Sequence, residues 1–125
     1  PRKRMLSSMS PSIMETPEGE LFLVVGSPGG STIITTTTQV IMNVVDFGMN
    51  IEDAVEAPRF HHQWLPDVIQ LEPRSFTIET VQALEERGHV IKYRDPIGEA
   101  NCIQVKDGFI YGSADSRRSS SAVGY

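Results

Sequence analysis

Cysteine is almost absent from this chain. Of 125 residues one is cysteine, Cys102, so neither an internal disulfide nor a cysteine-rich zinc site can form. Cys102 alternates with apolar neighbours, which favours a buried strand over a reactive thiol. Histidine occurs three times and tryptophan once. His61 and His62 are adjacent, so on a regular element they point in different directions and cannot form the i, i+4 pair of a helical zinc site; the pattern calls for no metal and no cofactor. Long apolar runs are also lacking: none reaches the ~20 residues that a membrane-crossing helix needs. Residues 1–12 have a basic start with no apolar stretch behind it, which is not the pattern of a secretion signal. Positive charge is in deficit, 11 Lys and Arg against 16 Asp and Glu for a net charge of −5, and this disfavours a nucleic-acid surface. The chain starts at Pro1 without an initiator methionine, as a processed or truncated product would, so any leader would lie upstream.

What is present is the composition of an ordinary globular protein, 39% hydrophobic and 22% charged, at a length suited to one modest domain. Residues 12–15 and 20–25 read as two strands joined by a turn at Thr16-Pro17-Glu18-Gly19. The second strand is almost wholly apolar, which predicts a central, covered position. Residues 31–47 carry recurrent Ile, Val and Met around Thr35 to Thr38. Threonine favours strands, but the length and a Gly48 at the expected C-cap predict a helix buried against the sheet. Asn50 caps a short helix over 51–57, which Pro58 stops. Residues 60–67 read as irregular and 68–71 as a short strand. Ser75 is the expected cap of a helix running to Arg87, with Ile78, Val81 and Leu84 on its apolar face and Gly88 ending it. Residues 89–93 form a strand, and Asp107-Gly108 joins strands 101–106 and 109–112 as a hairpin. The tail from Ala114 is irregular. This order predicts an antiparallel-rich sheet with helices packed on it, an α+β fold.

Two segments can carry chemistry. Gly26-Ser27-Pro28-Gly29-Gly30-Ser31-Thr32 joins the apolar strand to the long helix. It is either a tight structural turn or a cradle whose unshielded N–H groups hold a developing negative charge. No lysine follows the glycines, so it is not a Walker loop, and the third glycine of a dinucleotide fingerprint is missing. Ser7 and Ser8 either bond to nearby backbone or hold a substrate carboxylate; no G-x-S-x-G elbow marks either as a nucleophile. His61, His62 and Trp64 are read as packing around a loop, His89 as an ordinary strand-edge residue, and Glu52, Asp53 and Glu56 as the first turns of an acidic helix. Arg117 and Arg118 serve either a partner interface or the packing of the tail.

Three motifs occur in one order: Leu6-Ser7-Ser8-Met9-Ser10-Pro11, Gly26-Ser27-Pro28-Gly29-Gly30, and Ala57-Pro58-Arg59-Phe60-His61-His62-Gln63-Trp64-Leu65-Pro66. Together they resemble the C-terminal part of the small subunit of gamma-glutamyltransferase, also called glutathione hydrolase. The resemblance runs over essentially all of residues 1–125, through Tyr111-Gly112-Ser113-Ala114-Asp115 to Gly124-Tyr125, and implies a single-domain fragment of that subunit. It implies an N-terminal-nucleophile hydrolase fold, a four-layer αββα sandwich of which this chain is one part. The implied activity is transfer or hydrolysis of the gamma-glutamyl group of glutathione and related amides, with water, an amino acid or a dipeptide as acceptor. In that family a precursor cuts itself into large and small subunits, and the new amino-terminal threonine attacks the gamma-glutamyl amide. This chain opens with Pro1, and Thr35 to Thr38 are internal, so the nucleophile is expected upstream. By the same resemblance Ser7 and Ser8 grip the alpha-carboxylate, and Gly29 and Gly30 form the oxyanion hole. The large subunit and the upstream part of the small subunit are the implied partners, and a periplasmic or extracellular location is the implied compartment. The alternatives are a related acylase or poly-gamma-glutamate-processing enzyme of the same fold, or a non-catalytic homologue.

Overall fold

The structure, a computed structural model, describes Lys3 and residues 9–124. The chain forms two compact units, Pro1–Ala57 with Gly98–Tyr125, and Pro58–Ile97.

The first unit is built on a four-stranded antiparallel sheet of β1 (Ser12–Glu15), β2 (Leu21–Gly26), β6 (Asn101–Lys106) and β7 (Phe109–Ala114), in the order β1-β2-β6-β7. The expected turn between β1 and β2 is closed by bonds from Thr16 N–H to Glu20 O and from Gly19 N–H to Thr16 O, with Gly19 at φ +83°. Asp107 and Gly108 both take positive φ in the β6–β7 hairpin, as a type of turn that matches strand twist requires. β7 continues two residues beyond the predicted end.

Two helices lie on the sheet: α1 (Ile33–Val45) and α2 (Ile51–Glu56). α1 is shorter than the predicted 31–47 because its first turn is a separate 3-10 turn, Gly30–Thr32. Past Val45 the amides of Asp46 and Phe47 both return to the Met42 carbonyl, and Gly48 reverses the chain at φ +66°. The Asn50 side chain caps α2 by accepting from Asp53 N–H at 2.8 Å. The core is formed by Leu23, Val25, Val40, Val44, Ile51, Ala54, Val55, Ala100 and Cys102. β2 is central, as predicted, but its burial alternates: Leu23 and Val25 are buried while Phe22 and Val24 are half-buried. On the face that β-register assigns to Val24, the side chains of Ile13 and Ile103 are 71% and 42% exposed. Among the described residues β2 is therefore covered on one face.

The second unit holds β3 (Phe60–His61), β4 (Ile69–Leu71) and β5 (Ile91–Tyr93), in the order β3-β4-β5. The two-residue β3 falls in a stretch that propensity reads as irregular. β3 and β4 are antiparallel, but β4 and β5 are parallel, because α3 (Ile78–Glu86) is the crossover between them. The cap of α3 is Thr77, not Ser75: the Thr77 hydroxyl accepts from Thr80 N–H, while the Ser75 hydroxyl donates to the Pro73 carbonyl. Starting later, the helix leaves Ile78 at its first position, where it is 72% exposed, so Val81 and Leu84 carry the inward face without it. A polar knot organises the unit. The Glu72 carboxylate accepts from Arg59 N–H and Ile97 N–H, and the Arg59 guanidinium donates to the Ile97 carbonyl.

Candidate functional site

The site begins where β2 ends. After Gly26 the chain passes through Ser27, Pro28 and Gly29 into the 3-10 turn and then directly into α1. Gly29 stands at φ 143°, ψ 9° and Gly30 at φ 61°, conformations that a side chain disfavours. A Cβ on Gly29 would also lie 2.5 Å from Thr32 Oγ1, whereas nothing lies within 4 Å of one on Gly30. Glycine at 29 is thus fixed by backbone and by packing, and glycine at 30 by backbone alone.

The hydrogen bonding of the turn is one-sided. Its carbonyls are occupied. Pro28 O accepts from the Ser27 hydroxyl at 2.7 Å, Gly29 O accepts from Thr32 N–H at 3.2 Å and from the Thr32 hydroxyl at 3.0 Å, and Gly30 O accepts from Ile33 N–H. The amides of Gly29 and Gly30 donate to no acceptor among the described residues, and both residues are exposed. No acidic residue occupies the first turn of the 3-10 turn or of α1, so the positive end of the helix is not neutralised locally. Two consecutive free N–H groups at such an end can stabilise an oxyanion.

Ser7 and Ser8 lie outside the described residues. The chain that follows them is described: Ser12 pairs with Val25 across β1 and β2, and Pro11 Cα lies 3.9 Å from where a Gly26 Cβ would stand. The segment entering β1 therefore runs beside the strand end that feeds the glycine turn.

Within the second unit, His61 is buried with Nε2 3.0 Å from Gln63 Oε1, and the neighbouring His62 meets Asp67 at 3.0 Å; His89 is exposed. No group of three or more His, Cys, Asp or Glu among the described residues is arranged to hold a metal ion. Thr36 and Thr37 are buried in α1, and Cys102 is buried in the core. An open groove of about 1130 Å³ follows β6 and β7 and is lined by Ile103, Ile110, Tyr111 and Asn50. It includes neither Gly29 nor Gly30; its walls come from β6, β7, the start of α2 and residues 121–124, with polar and apolar side chains mixed.

A second polar constellation escaped sequence reasoning. Asp115 is fully buried; its carboxylate accepts from Ala100 N–H at 2.7 Å and from Arg117 N–H at 3.1 Å, with Arg117 Nη1 at 3.3 Å. Arg117 also donates to the carbonyls of Val55, Glu56 and Ala57, the open C-terminal end of α2. Ser116 N–H and hydroxyl bind the Glu56 carboxylate. Glu56 and Arg117 are thus joined within one unit, and the packing of the tail accounts for Arg117. The available signal was an Asp-x-Arg sequence just after an apolar strand.

The family described as Gamma-glutamyltranspeptidase matches residues 1–125. The Glutathione hydrolase proenzyme of Escherichia coli K12 is 47% identical over 118 residues, covering 94% of this chain and 20% of that protein. The crystal structure of the Helicobacter pylori gamma-glutamyltranspeptidase T380A mutant superposes with a TM-score of 0.88 at 49% identity, covering 94% of this chain and 64% of that one. A Pseudomonas nitroreducens gamma-glutamyltranspeptidase mutant, W525D, gives 0.87 at 41% identity, covering 100% and 64%. This chain spans about a fifth of the length of the Escherichia coli relative, and over that span it has the mixed α/β fold of the N-terminal-nucleophile hydrolase-like solved enzymes. The chain belongs to the gamma-glutamyltranspeptidase family.

Proposed function

We propose that this chain is part of an enzyme that transfers and hydrolyses the gamma-glutamyl group of glutathione and related amides. The observation that carries the reading is the pair of unspent amides at Gly29 and Gly30, set on a rigid strand-to-helix junction. When a nucleophile adds to the gamma-glutamyl carbonyl, its oxygen gains negative charge. Two N–H donors already in place stabilise that charge without reorganising. Ser7 and Ser8 take the alpha-carboxylate of the same glutamyl group, which sets the carbonyl against the amides.

The nucleophile is an amino-terminal threonine on polypeptide upstream of Pro1. It forms a gamma-glutamyl-enzyme with loss of the amine, and water or an acceptor amine then takes the acyl group. The upstream part of the small subunit and the large subunit complete the structure. The exposed apolar side chains of Ile13, Ile103 and Ile110 on the sheet favour such a covering layer. The compartment is periplasmic or extracellular.

The test uses two variants at one position in the full-length protein. Gly30→Ala keeps the amide and meets open space; at φ 61° it costs about 1 kcal/mol of stability. Gly30→Pro removes the amide but also holds φ near −65° where Gly30 stands at 61°, so retained turnover is its decisive outcome. The expected result is a loss of about 10²- to 10³-fold in kcat for gamma-glutamyl p-nitroanilide with Gly30→Pro, and kcat near the parent value with Gly30→Ala. Near-normal turnover by a folded Gly30→Pro protein refutes the assignment.

A further inference from the structure

The two amides of the glycine turn point outward for a reason that lies behind them. A peptide group is planar and trans, so its C=O and N–H point in opposite directions. The N–H of Gly29 shares a plane with the carbonyl of Pro28, and the N–H of Gly30 shares a plane with the carbonyl of Gly29. Both of these carbonyls are held by hydroxyl groups: Pro28 O by Ser27 Oγ at 2.7 Å and Gly29 O by Thr32 Oγ1 at 3.0 Å. Ser27 is 3% exposed and Thr32 is 1% exposed, so each carbonyl is drawn inward and the opposite edge of each plane is turned out.

We infer that Ser27 and Thr32 are positioning residues that aim the Gly29 and Gly30 amides. The inference rests on the reading of this turn as an oxyanion hole, and adds to it what fixes the direction of the donors. Ser27 is itself held: its oxygen accepts from Glu99 N–H at 3.0 Å, which leaves its proton for Pro28 O. That contact requires the chain at 98–99 to approach closely. A Cβ on Gly98 would lie 2.8 Å from Thr36 Cγ2 and 3.0 Å from Ser27 Oγ, and Gly98 stands at φ +72°. Glycine at 98 thus lets a separate stretch of chain reach the turn and supply the third link, from Glu99 N–H through the Ser27 hydroxyl to the Pro28 carbonyl. Without the Ser27 hydroxyl the Pro28 carbonyl is released to water, and without the Thr32 hydroxyl Gly29 O keeps only the 3.2 Å bond from Thr32 N–H, so each plane can rock.

Thr32 gives a test in which packing and hydrogen bonding predict opposite rankings. Thr32→Val keeps the shape and loses the hydroxyl, while Thr32→Ser keeps the hydroxyl and loses a methyl. In the full-length protein, Thr32→Val and Ser27→Ala should lower kcat about tenfold with KM little changed, a fraction of the effect of removing a whole donor. Thr32→Ser should stay within about twofold of the parent. Thr36→Val makes the same exchange one turn along α1, at a hydroxyl with no acceptor among the described residues, and controls for general damage to the helix. The amide nitrogen-15 shifts of Gly29 and Gly30 report the hydrogen bonding of the carbonyls before them. They should move in Ser27→Ala and Thr32→Val respectively, and stay in place in Thr36→Val. A ranking in which Thr32→Ser is worse than Thr32→Val, or indifference of both kcat and the shifts to either hydroxyl, overturns the inference. If Gly30→Pro abolishes turnover while the hydroxyl variants are silent, the oxyanion reading is not overturned and the positioning inference fails. If Gly30→Pro is active while the shifts move as expected, the hydroxyls aim the amides but the catalytic reading fails.

Discussion

Replacing Asp115 with alanine should loosen the junction between β7, α2 and the chain that enters β6. Asp115 is fully buried and accepts a 2.7 Å bond from Ala100 N–H, and Ala100 is itself buried in the core. Truncation leaves that amide with no nearby acceptor, at about 1–3 kcal/mol for an unsatisfied buried donor. It also removes the carboxylate facing Arg117. A buried ion pair broken on one side costs about 3–5 kcal/mol, but here the guanidinium keeps the Val55, Glu56 and Ala57 carbonyls and its side chain is 12% exposed. The second contribution therefore falls to about 1 kcal/mol, the scale of one ordinary hydrogen bond, and the sum is about 3 kcal/mol. Hydrogen exchange read at the Ala100 amide in the full-length protein measures this locally. The expected change is exchange faster by about 10²-fold, at about 1.4 kcal/mol per factor of ten. Asp115→Asn keeps an oxygen acceptor and should recover at least half of the loss. Exchange at Ala100 within threefold of the parent in Asp115→Ala would refute the reasoning, because the amide would then have another acceptor.

Two further predictions follow from the same accounting. Thr36 is fully buried and its hydroxyl has no partner among the described residues, so Thr36→Val, equal in shape and similar in helix propensity, should be neutral or stabilise by about 1 kcal/mol; a loss above that in thermal or denaturant unfolding means the hydroxyl has a partner. Glu79, in the first turn of α3, has its carboxyl held below the ordinary value by a backbone hydrogen bond within its own residue and by the Thr77 side chain. A depressed folded value stabilises the helix above the ordinary carboxylate range and loses that support as pH falls through the lowered value. In Glu79→Gln the exchange protection of α3 should lose its acid-side pH dependence; an unchanged pH profile removes Glu79 as its source.

The elements that the sequence determined are those governed by local chemistry. Gly19 and Asp107-Gly108 specify turns because few residues accept positive φ. Asn50 specifies a helix start because its side chain reaches the Asp53 amide. The central place of β2 follows from an apolar run that water excludes from an edge. The glycine turn was legible for the same reason, since Gly29-Gly30 between an apolar strand and a helix exposes backbone whatever surrounds it. Propensity erred at Ser75 and Ile78, where Thr77 caps α3 instead, and at Phe60–His61, where two residues are too few to show a period and become a strand only by pairing with Leu71 and Gln70.

Tertiary structure decided everything that depends on residues far apart in the chain. Composition cannot show that α3 makes β4 and β5 parallel, or that Asp115 reaches Ala100 and Arg117 closes α2 across some 60 positions. Nor can it show that Gly98 brings Glu99 against Ser27, |i−j| = 72, to lock the hydroxyl behind the turn. A turn's conformation is set by the backbone freedom of its own residues, which the sequence states directly. The direction in which its amides point is set by what grips the carbonyls on the other edge of the same planes, and one of those grips is anchored by chain that only folding brings near.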